Sequence, residues 1–119
     1  MDPNVYKVLH ILGFFLVFSA LGGTTIATLV GKSDDARARR LTGISHGVGL
    51  LLILVSGFGM LAKLDLAFDG WVFAKMGIWL LLGAASFLIR LRPSWASLFW
   101  IVLPLLGACA GFLALYKPF

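Results

Sequence analysis

The sequence predicts an all-α integral membrane protein, an antiparallel bundle of four transmembrane helices with both termini on the non-cytoplasmic side. Three observations lead to this prediction. Hydrophobic residues make up 61% of the 119 residues, four long apolar runs can be cut from the chain, and arginines cluster in the first and third of the connecting segments. The runs leave no residues for a soluble domain, so residues 1–119 are expected to form a single four-helix domain.

The four apolar runs cover residues 5–30, 41–62, 71–90 and 95–116. Each is long enough to cross the ~30 Å hydrocarbon core of a bilayer. Because lipid offers the backbone no hydrogen-bond partners, each run is predicted to be a helix. Connections of about ten, eight and four residues make consecutive helices antiparallel neighbours. The first run reaches full spanning length, which favours a membrane span over a cleaved signal peptide.

The basic residues predict the orientation. The segment after the first run reads GKSDDARARR, and the third run ends in IRLRPS. The positive-inside rule places both of these segments in the cytoplasm and both termini outside. The chain is therefore expected to cross the membrane several times, with the lipid bilayer as a partner. Since orientation accounts for the arginine clusters, nucleic acid is not expected as a partner.

The predicted membrane region contains no carboxylate, because the five acidic residues are all aspartates in the N-terminal or connecting segments. This absence excludes a proton-coupled exporter that depends on a buried acid, and a carboxylate-bridged metal site. The informative polar groups that remain inside the spans are His10, His46 and Lys75. These three are the candidates for chemistry.

Counting residues from the predicted helix ends places His10 and Lys75 at one depth, near the outer surface. His46 enters from the cytoplasmic side and is expected in the opposite leaflet, roughly 15 Å from His10 along the membrane normal. His10 and His46 are both candidate metal ligands. One haem iron bound by both is not expected, since two axial ligands must lie at nearly the same height.

Small residues beside each histidine could admit a flat cofactor. Gly13 shares a helix face with His10, and Gly43 and Gly49 share one with His46, so all three are candidate cofactor-binding residues together with the histidines. Lys75 could pair with an anionic group of a cofactor or substrate, and it is the candidate catalytic residue. The alternative is that the histidines form hydrogen bonds between helices and that Lys75 extends to the headgroups.

Four stretches of the chain resemble a group of small membrane proteins. They are VYKVLHILG in the first run, RARRLTGISHGVGLLLILVSGFGMLA, the opening GWVFAK of the third run, and the closing LYKPF. The group includes the SirB-type proteins, the HemJ-type protoporphyrinogen oxidases and the CopD-like domains, and the SirB-type pattern is the closer one in length. The HemJ-type resemblance implies that His10 binds haem b and that Lys75 is needed for activity.

Together the residues and the resemblance predict a multi-pass haem b protein of the bacterial inner membrane, with a redox or electron-transfer role related to porphyrinogen oxidation. A quinone or a porphyrin is the expected small-molecule partner. The alternative is a non-catalytic structural or assembly subunit of a homo-oligomer or larger membrane complex. In that case the glycines of GACAG, Gly107 and Gly111, would serve helix packing. A small channel for an anion or a neutral molecule is a third possibility.

Overall fold

Four helices account for most of residues 2–118, which are the residues described in the computed structural model. They are α1 (Pro3–Leu29), α2 (Ala36–Lys63), α3 (Gly70–Leu91) and α4 (Ala96–Tyr116), and a short 3₁₀ turn (Pro93–Trp95) precedes α4. All four are long and apolar enough to cross a membrane, with the 3₁₀ turn counted in the fourth span. Residues 2–118 contain no strand. The helices are those of a multi-pass membrane protein.

Local chemistry explains where the first two helices begin. The Asp2 carboxylate accepts a hydrogen bond from the Asn4 amide at 2.9 Å, and the Asp35 carboxylate accepts one from the Ala38 amide at 2.9 Å. Each caps amides that the first turn leaves without partners. As a result α2 begins five residues before the predicted apolar run, and the arginines of RARR lie in its first turns instead of in a loop. Hydropathy therefore predicted the lipid-facing part of α2, whereas the Asp35 cap determines where the helix begins.

The closest helix pair is α1 with α2. A Cβ atom added to Gly13 would lie 2.9 Å from the Gly49 carbonyl oxygen, and one added to Gly49 would lie 2.7 Å from a Val17 methyl carbon. Both distances are shorter than van der Waals contact, so the two backbones can approach this closely only because both residues lack side chains. These two glycines therefore belong to the packing of α1 against α2.

The buried core lies in the middle of the bundle and towards the arginine-rich segments. Its members come from all four helices: Val17, Leu21, Ile53, Leu82, Ala85, Ile89, Ala96 and Leu103. By contrast, α2 and α3 contact each other far less than α1 and α2 do. The separation of α2 from α3 leaves space towards the other end of the bundle, and that space is the candidate site.

Candidate binding cavity

A cavity of about 360 Å³ opens between the helices at the end remote from the arginine-rich segments. Its walls come from the first half of α1, the second half of α2, the first half of α3 and the last turns of α4. Most of the lining is apolar, and it includes Lys7, His10, Phe14, Ile53, Gly57, Trp71, Lys75, Trp79, Leu82, Ala110, Ala114 and Lys117. The volume is within the range of small-molecule sites, and apolar walls with few polar groups are typical of them.

Within residues 2–118, the charged groups that line this cavity are all positive. Lys7, Lys75 and Lys117 contribute ammonium groups, His10 contributes an imidazole, and no carboxylate occurs among the described lining residues. Lys7 and Lys117 are exposed, whereas Lys75 is half-buried. An apolar chamber with several cations and no carboxylate among its described residues is suited to a ligand with an apolar body and a negatively charged end.

A hydrogen bond to a residue of α2 positions the His10 imidazole. Its Nδ1 lies 2.8 Å from the Ser56 hydroxyl oxygen. That hydroxyl donates its own proton to backbone carbonyls of α2, those of Leu52 and Ile53. Because a hydroxyl has one proton to donate, we infer that Ser56 accepts from the Nδ1–H of His10. In the neutral imidazole this arrangement leaves the lone pair on Nε2.

The Nε2 atom of His10 is buried and has no hydrogen-bond partner among residues 2–118. The ring is held on two further sides. Phe14 meets it edge-to-face with centroids 5.0 Å apart, and a Cβ atom added to Gly57 would lie 3.4 Å from its Cε1 atom. A nitrogen with a free lone pair, on a ring that is fixed in place, is what a metal ligand or a hydrogen-bond acceptor for a bound molecule requires.

Lys117 lies where α4 ends, beside the start of α3. Its Nζ atom lies 5.2 Å from the centroid of the Trp71 ring and donates to the Ala114 carbonyl at 2.7 Å. Its backbone has the left-handed conformation, with φ at +46°, which turns the chain back as the helix ends. Trp71 is almost fully buried, so this cation–π contact fixes a positive charge at the edge of the cavity.

His46 lies elsewhere. Its Nε2 atom is 2.9 Å from the Leu82 carbonyl oxygen of α3, and it does not line the cavity. His46 precedes Ser56, the partner of His10, by ten residues of one helix, which corresponds to roughly 15 Å of helix rise. The two histidines therefore do not converge. Trp79 makes a similar link, donating from Nε1 to the Leu50 carbonyl of α2 at 3.0 Å.

The three candidate glycines also lie outside the cavity lining. Gly13 and Gly49 pack α1 against α2, and a Cβ atom added to Gly43 would have no neighbour within 4 Å. Of the predicted site residues, the structure thus brings together His10 and Lys75 and leaves Gly13, Gly43, His46 and Gly49 apart from them. Within residues 2–118, no three His, Cys, Asp or Glu side chains converge to hold a metal ion by themselves.

Sequence reasoning missed Ser56, Gly57 and Lys117. Ser56 carried one usable signal, since a hydroxyl in the middle of an apolar run must find a partner. Lys117 carried another, because it ends the last span on the same predicted side as Lys7. No sequence signal indicated that the His10 ring would lie against Gly57.

Comparison with known proteins identified no relative of this chain. No protein-family model matches the chain, and no curated protein or solved structure shows significant similarity to it. Its function must therefore be inferred from the cavity.

Proposed function

We propose that this protein is a haem b-binding protein of the bacterial inner membrane with a redox or electron-transfer role, and that the cavity is its cofactor site. The observation that carries the proposal is the pairing of His10 with three lysines in one apolar chamber that has no carboxylate among its described lining residues. Haem b has the matching chemistry: a flat apolar ring, two propionates and an iron that accepts imidazole nitrogen.

We further propose that the helices cross the membrane as an antiparallel bundle with both termini and the cavity on the non-cytoplasmic side. The order of contacts between α1 and α2 supports this arrangement. An added Cβ at Gly59 would meet the Tyr6 ring, the Gly13 backbone meets Gly49, and an added Cβ at Gly23 would lie 3.1 Å from Thr42. Higher residue numbers in α1 thus meet lower numbers in α2, and the positive-inside rule then orients the bundle.

In this proposal His10 is the iron ligand, through Nε2. Its support is the hydrogen bond from Nδ1 to Ser56, because a histidine that binds a metal usually donates its other ring proton to a fixed partner. Lys75 and Lys117 would pair with propionates, and Lys75 could equally hold an anionic substrate beside the ring. When bound, haem would supply one-electron transfer at iron, and the chain would supply the ligand, the dry walls and the charge pairing.

An absorption spectrum tests the proposal. Protein purified after expression with added haem is expected to show a Soret band that shifts on reduction with dithionite. His10→Ala should remove most of this absorbance, whereas His46→Ala, the matched control, should retain it because the His46 side chain does not line the cavity. A wild-type protein without a Soret band, or equal loss in both variants, would refute haem binding at His10.

A second candidate function is a non-catalytic assembly subunit. The observation that favours it is that His10, His46 and Trp79 all make hydrogen bonds between helices. Gly111 offers a discriminating test, since a Cβ there would have no neighbour within 4 Å. If the protein serves assembly alone, Gly111→Leu should disrupt a complex while the isolated protein stays folded, and His10→Ala should change neither assembly nor absorbance.

A further inference from the structure

A second and smaller cleft lies at the end of the bundle that carries the arginine-rich segments, and we call it the arginine cleft. It has a volume of about 10 Å³, and its polar lining consists of Thr24, Ser33, Arg39, Thr42 and Arg90. The lining comes from the last turns of α1, the connection to α2, the first turns of α2 and the last turn of α3. The space admits about one oxygen-sized group.

Arg90 brings an unmatched donor to this cleft. Its Nε atom is buried and has no hydrogen-bond partner among residues 2–118. Nearly all buried polar groups in proteins are paired, and a charged donor without a partner costs more than a neutral one. An acceptor from outside the described residues would remove this cost.

The surroundings favour an anion as that acceptor. Arg39 supplies a second guanidinium group to the same cleft, and no carboxylate lies among the described lining residues. The nearby Asp35 carboxylate is already engaged, since it accepts the Ala38 amide at the start of α2. The N-terminal end of α2 adds the positive end of its helix dipole, which also favours negative charge.

We propose that the arginine cleft binds the phosphate group of an anionic phospholipid. One phosphate oxygen enters the cleft and accepts from Arg90 Nε, and Arg39 pairs with the oxygens that stay outside. The cleft has room for one oxygen but not for a whole headgroup, so the rest of the lipid remains in the bilayer. Lipid is the favoured source because Arg90 and Arg39 lie at the ends of membrane-spanning helices, where headgroup phosphates are concentrated.

The test is competitive lipid binding measured by native mass spectrometry of the purified full-length protein. Wild-type protein is expected to retain phosphatidylglycerol in preference to phosphatidylcholine. Arg90→Gln should lower that retention about tenfold, the effect of losing one charge-assisted hydrogen bond. Arg90→Lys should lose most of it too, because lysine keeps the charge but has no Nε donor at that place. Arg40→Gln is the matched control, since it removes the same charge from an exposed position outside the cleft.

Three results would overturn the proposal. One is equal loss in Arg40→Gln and Arg90→Gln, which would indicate a general charge effect. Another is unchanged retention in Arg90→Gln. The third is displacement of phosphatidylglycerol by inorganic phosphate at equal concentration, which would point to a free anion. If Arg90→Gln does not fold, Arg39→Gln gives the same test from an exposed residue, and retention equal to wild type would refute the site.

Discussion

The Ser56 hydroxyl is the side-chain hydrogen-bond partner of the His10 imidazole, so Ser56→Ala tests the inferred tautomer directly. The change leaves the side-chain volume almost unaltered in a position that is 1% exposed. It removes the acceptor that lies 2.8 Å from His10 Nδ1. Since His10 Nε2 already has no partner among residues 2–118, the ring would keep no side-chain hydrogen bond, and the Ile53 backbone would be the remaining polar group beside it.

The magnitude follows from two effects. A buried donor without an acceptor costs about 1–3 kcal/mol, so the free energy of unfolding should fall by that amount. Loss of a hydrogen-bond partner behind a metal-binding histidine typically costs roughly 10- to 100-fold in metal affinity, and haem affinity should fall within that range. The first effect is expected from any buried hydrogen bond, whereas the second requires His10 to bind the iron.

The assay is a haem titration of the purified protein followed by its Soret absorbance, together with denaturant unfolding of the same samples. Thr25→Val is the matched control, because Thr25 is also fully buried and its hydroxyl also donates to a backbone carbonyl four residues earlier. It should lower stability without changing haem affinity. Ser56→Ala with wild-type affinity and lowered stability would refute the role of His10 as a ligand and leave Ser56 with a structural role only.

Three further predictions concern residues around and outside the cavity. Gly49→Ala should lower the free energy of unfolding by about 1–3 kcal/mol, since its Cβ would lie 2.8 Å from the Gly13 carbonyl oxygen. Denaturant unfolding measures this change, and an unfolding midpoint equal to wild type would contradict the close packing of α1 against α2. Lys117→Met should weaken haem binding several-fold. Because it removes the cation over the Trp71 ring, it should also increase the quenching of Trp71 fluorescence by acrylamide. Unchanged quenching would argue against the contact between Lys117 and Trp71. His46→Ala removes the hydrogen bond to the Leu82 carbonyl, so it should lower the free energy of unfolding by about 1 kcal/mol and leave the Soret band unchanged. Loss of the band would indicate that His46 takes part in cofactor binding.

Some properties of this protein follow from its sequence alone. The number of membrane-spanning helices is one of them. A backbone in lipid must satisfy its own hydrogen bonds, so each apolar run is expected to form a helix. The constant rise of a helix also predicts one depth for His10 and Lys75 from the sequence alone, and the structure places both residues in the lining of one cavity. The absence of an acidic residue from the spans can likewise be read directly from the chain.

The rotation of each helix about its own axis was decided only by tertiary structure. A helix that is apolar on all sides carries no stripe to show which face turns inward, so rotation is set by packing against neighbours. Packing turned Gly13 and Gly49 towards each other and His46 towards the Leu82 carbonyl. It also brought Ser56 to His10 across 46 positions of sequence. Side-chain chemistry and depth could be read from the chain, but which polar groups meet required the packed bundle.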